Sequence, residues 1–336
     1  MDIDYLLTLQ YFRNNINDVL TPFMEMLSLF AVTYLVILPA FIYWCVDKRV
    51  GLYSVGSYAA SVTANAIIKL SCCIYRPWIR DSRVLPAGNA IETATGYSFP
   101  SGHTMTAVPI YGSLALATWK KMRWVSILSL AILIVTCFSR NYLGVHTPQD
   151  VLVGIAVGAL VLWGMAVLFR YLAEHPEKED WFLLGGVLLS IAALVYFSVK
   201  QYPRDYDKVM ADGTVKEVLR VDPLKMMKDG FGDTGKLLAF CIGRFIEKKW
   251  IRFKPAFTKR SLAAGIVGVV VLLVLIELFG GPMLSSSPVK GRSLGDLLKN
   301  GLGTQWAALV QNVVIFLHIT CGWPLVMKAC AKHEEA

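Results

Sequence analysis

Apolar runs of membrane length alternate with short polar ones along most of this chain. They lie at about 27–46, 51–74, 102–119, 124–139, 149–169, 181–199, 261–280 and 303–327. The first is long enough to cross a hydrocarbon core of roughly 30 Å as a helix rising 1.5 Å per residue. Pro39 inside the first run is tolerated in a membrane helix. The 51–74 run is rich in Ser, Ala and Gly, so it is expected inside a bundle, where small residues let helices approach closely. Two stretches break the pattern. In residues 2–20, Ile3, Leu6, Leu7 and Tyr11 recur at helical spacing among Asp, Gln, Arg and Asn. That pattern suits a helix lying in the membrane interface and suits equally an amphipathic helix packed on the bundle. The 231–247 stretch is short and interrupted by Arg244, so by itself it reads as interfacial or re-entrant.

Composition agrees with a membrane protein. Of 336 residues, 55% are hydrophobic and 17% charged, and mean hydropathy is +0.52, more apolar than an ordinary soluble domain. The net charge of +9 fits nucleic acid, acidic lipid or cytoplasmic loops. With this much apolar sequence it is assigned to loops, and no nucleic-acid partner is expected. Alternating spans put Lys48, Arg49, Lys120, Lys121 and Arg123 on one side, which the positive-inside rule makes the cytoplasm. The basic stretch 248–260 joins that side only if 231–247 crosses. The expected fold class is therefore all-α, a polytopic membrane helical bundle. Residues 1–199 form a core of an interfacial N-terminal helix plus six spans. Residues 200–336 form an extension with a polar loop and about three further spans. The N-terminus is outside and the C-terminus inside. The seven cysteines read as small buried hydrophobes with neither a disulfide nor a metal framework. The first residues lack the basic-then-apolar order of a signal peptide.

Three polar pieces then fall on one face, opposite the basic loops. The first is KLSCCIYRP. Lys69 and Arg76 sit seven apart, about two turns, so they share a helix face, and Pro77 ends the helix. A cation at this depth usually has an assigned partner, although Lys near a helix end also snorkels. The second is PSGHT. Ser101 can cap a helix, Gly102 allows close backbone approach, and the exposed N–H groups of a helix start attract phosphate beside His103. A capped helix with an incidental His reads the same way in isolation. The third is SRNYLGVHTPQD, residues 139–150. Arg140 offers a planar fork for two phosphate oxygens. His146 and Asp150 are four apart, so Asp150 can fix the imidazole tautomer and leave the other nitrogen free to attack. Asp150 can equally be a plain capping-box residue behind Thr147 and Pro148. Taken together, the pieces supply a phosphate site, a nucleophile and an acid. No carboxylate cluster for a metal is evident, so a metal-free route through phosphohistidine is expected.

Lys69-x6-Arg76-Pro77, Pro100-Ser101-Gly102-His103 and Ser139-Arg140-x5-His146-x3-Asp150 resemble the three-part signature of the type 2 phosphatidic acid phosphatase superfamily. The resemblance covers roughly residues 1–172. It implies His146 as nucleophile, Asp150 as its orienting partner and His103 as the acid for the leaving group. Lys69, Arg76, Ser101, Gly102 and Arg140 would hold the phosphate, with no cofactor and no metal. The implied substrate is a lipid phosphate or polyprenyl pyrophosphate, taken at the extracytoplasmic face of a bacterial plasma membrane in contact with membrane lipids. Proton bookkeeping between His146 and His103 implies a bell-shaped pH profile. An alcohol acceptor in place of water would make the protein a phosphotransferase. A transporter is disfavoured, because the signature charges lie at helix ends and not at the midplane. Soluble haloperoxidases are disfavoured by the apolar spans. The loop residues Trp78, Val84, Leu85 and Ile91 are expected to pack the loop before they border a lipid. Neither the particular lipid nor the oligomeric state is legible.

Overall fold

In a computed structural model the fold is a helical bundle, described over residues 2–94, 96–211, 214–219, 221–279 and 293–332. The elements in order are α1 (Asp2–Asn15), α2 (Thr21–Thr33), α3 (Ile37–Phe41), α4 (Lys48–Cys72), α5 (Pro77–Arg80), α6 (Ala90–Thr93), α7 (Gly102–Thr118), α8 (Arg123–Tyr142), α9 (Pro148–Glu174) and α10 (Glu179–Val199). A two-stranded antiparallel hairpin follows, β1 (Tyr206–Ala211) with β2 (Thr214–Leu219). Then come α11 (Pro223–Ile246), α12 (Lys259–Leu278), α13 (Leu294–Leu302), α14 (Thr304–Leu317) and α15 (Trp323–Lys332).

Among the described residues, six helical stretches are long and apolar enough to cross a membrane: 48–80, 123–142, 148–174, 176–199, 259–278 and 304–331. Just over half of the first, 56%, is buried, against 22% for each of the stretches formed by α9 and α10. So α4 sits in the middle and α9 and α10 outside, as the small residues of α4 anticipated. Exposed tryptophans at 119, 124, 181 and 250 collect near the basic clusters at one end, where indole rings favour a membrane–water boundary.

One expected span is broken in the structure, and two others form helices in place but pack inside the bundle. The 27–46 run is not one helix, because α2 ends at Thr33, residues 34–36 turn, and α3 resumes at Ile37. Pro39 cannot donate to the carbonyl one turn before it, and its ring crowds that carbonyl. The 102–119 run becomes α7, nearly all buried among its neighbours, with Pro109 inside it. The 231–247 stretch belongs to the 24-residue α11, which packs on α14, α4 and α10. A Cβ on Gly235 would lie 2.9 Å from Leu309, so α11 and α14 meet backbone to side chain with no room to spare.

Contacts at the helix ends fix the directions. The C-terminal end of α10 meets that of α4, where Lys200 Nζ donates to the carbonyl of Ser71 (2.8 Å). At the opposite end, Lys48 opens α4 and pairs with Glu247 just past α11 (2.6 Å). Asp229 near the start of α11 shares a cavity with Lys69 near the end of α4. Hence α11 runs antiparallel to α4 over its whole height, and residues beyond 200 pack directly on the core. The cysteine expectation needs a correction at Cys72, which is exposed at the end of α4, while Cys45, Cys137 and Cys241 are buried.

The N-terminal helix docks on the loop after α4. Leu6 and Arg13 point inward, Arg13 donates to the carbonyls of Tyr142 (3.2 Å) and Leu85 (2.8 Å), and Asp2 pairs with Arg80 (2.8 Å). Tyr5, Tyr11 and Phe12 remain exposed.

Candidate active site

The site gathers at one end of the bundle, where α4 stops, α7 starts, α8 stops and α9 starts. α4 carries Lys69 in its last turn and ends at Cys73 in the left-handed conformation (φ 51°). The chain then extends through Arg76, and Pro77 opens α5. α7 begins at Gly102, directly after Ser101, and puts His103 in its first turn. α8 carries Arg140 in its last turn, and α9 opens with a capping box. Asp150 N donates to Thr147 Oγ1 (3.3 Å), and Asp150 Oδ2 accepts from Thr147 N (2.8 Å). α9 lies close against α7 because Gly154 faces Thr104 and Gly158 faces Val108, where a Cβ would sit at 3.1 Å.

Asp150 makes contacts of both kinds that the sequence left open. Besides capping α9, its Oδ2 faces His146 Nδ1 at 3.3 Å. The same oxygen accepts from Ser98 Oγ at 2.6 Å. The Asn141 amide donates to the His146 carbonyl (2.9 Å), and Ser101 N donates to the Asp150 carbonyl (2.9 Å). With Nδ1–H directed at Asp150, Nε2 carries a lone pair. Arg76 Nη1 lies 2.8 Å from that nitrogen. Arg76 is held in turn by the carbonyls of Gly96 and Val145, both at 3.0 Å. His146 sits between helices, 1% exposed. Burial first, and the Arg76 and Arg140 charges next, push its pKa well below 6.5 against the opposing pull of Asp150. The resting imidazole is thus neutral.

On the other side, Ser28 of α2 bridges two signature residues. Its Oγ lies 3.1 Å from His103 Nε2 and also accepts from Arg140 Nη1. Arg140 is fully buried, yet its Nε and Nη2 have no hydrogen-bond partner among the described residues, and neither has Ser101 Oγ. Lys69, 7% exposed, makes no ion pair among the described residues. Burying cations without anions is costly, and an incoming phosphate would repay that cost.

Lys69, Arg76, Gly102, His103 and His146 line one cavity of about 490 Å³. Asp150, Ser101 and Arg140 stand behind that lining. Sequence reading missed Ser28, whose partners lie 75 and 112 residues away, and it passed over Ser98 and Asn141, which sit beside or within the signature pieces as ordinary polar residues. It also missed the far wall, where α11 and α14 contribute Asp229, Asp233, Lys236 and Asn312. The loop residues divide. Val84 is buried and Trp78 packs beside Arg76 (5.9 Å), whereas Leu85 and Ile91 are exposed.

Residues 50–174 match the family profile of the PAP2 superfamily, a segment that contains every signature residue. A protein named "Probable sphingosine-1-phosphate phosphatase" from Dictyostelium discoideum is 25% identical over 215 residues, 58% of this chain and 50% of that one. Phosphatidylglycerophosphatase B of Bacillus subtilis is 35% identical over 99 residues, 27% of this chain and 47% of its own. Undecaprenyl-diphosphatase of Sulfolobus acidocaldarius is 28% identical over 114 residues, 34% and 52% of the two chains. The chain thus spans about half the length of these curated relatives. No solved structure matches it.

Proposed function

We propose that this protein, which carries a PAP2-superfamily domain over residues 50–174, is an integral membrane phosphatase that hydrolyses a lipid phosphate or pyrophosphate through a phosphohistidine. One observation carries the reading. A neutral imidazole is aimed by a carboxylate into a cavity lined by Lys69, which makes no ion pair among the described residues, with two partnerless nitrogens of Arg140 behind that lining.

The steps follow from the atoms present. The phosphate displaces the Arg76 N–H from His146 Nε2 and takes it on an equatorial oxygen, with Lys69 and the free Arg140 nitrogens adding charge. Nε2 attacks phosphorus as the P–O bond to the leaving group breaks. His103 gives its proton to the departing oxygen. Asp150 keeps the Nδ1 proton and stabilises the imidazole as it becomes positive. Water then attacks phosphorus, His103 takes the water proton, and the P–N bond breaks to return neutral His146. Among the described residues no grouping of three or more His, Cys, Asp or Glu could hold a metal ion.

The basic clusters at the far end of the bundle favour a site on the extracytoplasmic face. The printed names of the relatives put sphingoid, glycerophospho- and polyprenyl substrates in one class, a phosphate on a lipid. The experiment is phosphate release from a panel of such lipids by the detergent-purified protein, with and without chelator. Chelator-insensitive release, with an acid-labile phosphoryl group trapped on wild type and absent from His146→Ala, is the expected result. Strict metal dependence, or release by His146→Ala, would overturn the mechanism.

A further inference from the structure

Half of the cavity lining comes from residues beyond 220, which the phosphate chemistry above does not use. The cavity follows α4 inward from Lys69 to Asn65 and on to Tyr58. At 1.5 Å per residue these lie about 6 and 16 Å deeper. The facing wall includes Asp233 and Lys236 of α11, paired at 2.6 Å, and Asn312 of α14. Ionised side chains this far into an apolar bundle are costly, and they occur where a polar ligand or pathway is served. Asn65 is an independent sign of a ligand. It is 3% exposed, it lines the cavity, and its Oδ1 has no hydrogen-bond partner among the described residues. Exchanging the two ends of the amide would still leave one polar end facing the cavity.

We propose that Asn65, Asn312 and the Asp233–Lys236 pair form a subsite for a hydroxyl group on the leaving alcohol, next to the phosphoester; this rests on the phosphatase reading. The subsite adjoins the phosphate position. A Cβ on Gly102 would lie 3.5 Å from Asn65 Nδ2 and 3.8 Å from Lys69 Nζ, so both side chains face the start of α7. Charge balance selects the occupant. Asp233 is compensated by Lys236, and the neighbouring Lys228 and Asp229 add one charge of each sign. An entering ion would shed its hydration against a wall of no net charge. A hydroxyl donates and accepts, matching carboxylate, ammonium and amide alike. A bare hydrocarbon would leave Asn65 unmatched.

The test uses the full chain and three long-chain monophosphates: a 1-alkyl phosphate, its 2-hydroxy analogue and its 2-amino analogue. In wild type, kcat/KM for the 2-hydroxy substrate should exceed that for the plain one by about ten-fold, the worth of one good hydrogen bond. Asn65→Leu and, separately, Asn312→Leu should each bring that ratio near one, with melting profiles checking the fold. A wild-type ratio near one would overturn the subsite. So would variants that slow both substrates in proportion. A 2-amino substrate preferred over the 2-hydroxy one would overturn the hydroxyl assignment in favour of an ammonium. Turnover of the plain phosphate in any of these cases leaves the phosphatase reading standing, whereas no turnover of any substrate removes both.

Discussion

The two ends of this bundle bury the same kinds of charge in opposite ways. At the basic end, Glu247 has no exposed surface and accepts from Lys48 Nζ (2.6 Å), Phe253 N (3.1 Å) and Arg244. Arg244 also pairs with Glu179 (2.8 Å), and Lys248 reaches Asp180 (2.8 Å) and Glu179 (3.2 Å). Each of these cations has a carboxylate. At the other end, Arg140 has a single serine contact and two guanidinium nitrogens without partners, and Lys69 has no ion pair among the described residues. A filled network ties α11 and α10 to the core, and breaking it strands a buried charge. An unfilled one suits the phosphate proposed above. Burial alone does not separate the two; the count of partners does.

Paired substitutions put that contrast at risk. Arg140→Met should cut kcat/KM by about a thousand-fold or more, as loss of a transition-state charge contact does. It should also raise the melting temperature, because it removes buried donors without partners that cost roughly 1–3 kcal/mol. Glu247→Ala should do the reverse and lower stability by about 3–5 kcal/mol, since Lys48 and Arg244 lose their shared anion. Calorimetry or a thermal-shift assay in detergent, run beside lipid-phosphate turnover, reads both. A destabilised Arg140→Met would mean that both ends hold the fold alike.

The same distinction explains what was legible from the sequence. Lys69, Arg76, His103, Arg140, His146 and Asp150 could be found because helix ends confine them and their spacing is short. The outer helices were legible because lipid demands apolar side chains all along them, as in α9 and α10. α11 was read as a doubtful span for the converse reason. It lies against α4, α10 and α14, so its faces answer to protein and to a cavity, and it keeps Asp229, Asp233, Lys236 and Arg244. Ser28 was invisible because its partners, His103 and Arg140, lie 75 and 112 residues away. The break at 34–36 was missed because Pro39 marks a local disruption without saying whether the helix bends or stops.

A smaller effect tests the electrostatics of the nucleophile. Burial and then Arg76 hold the His146 pKa well below 6.5. The neutral, attacking form therefore persists as pH falls through 6.5, and the acid limb of kcat/KM due to His146 should lie well below that value. Removing the Arg76 charge lets the pKa rise. The limb in Arg76→Gln should then move to higher pH, by roughly one unit for a near cation, alongside the loss of rate. A limb that stays in place would mean that Arg76 does not bear on His146 charge in solution.

The smallest expected effect lies in the filled network itself. Lys249 pairs with Asp180 at 2.8 Å, but its side chain is 43% exposed, against none for Glu247. Water competes for both partners there, and two long side chains lose freedom in pairing, so Lys249→Ala should cost under about 1 kcal/mol. The Lys248 pairs to the same acidic turn, at 22% exposure, should rank between the two. If the series Glu247, Lys248, Lys249 is real, the losses fall in that order, and added salt should shrink only the last appreciably. A loss at Lys249→Ala as large as that at Glu247→Ala would mean that neither burial nor partner count sets the strength of this end.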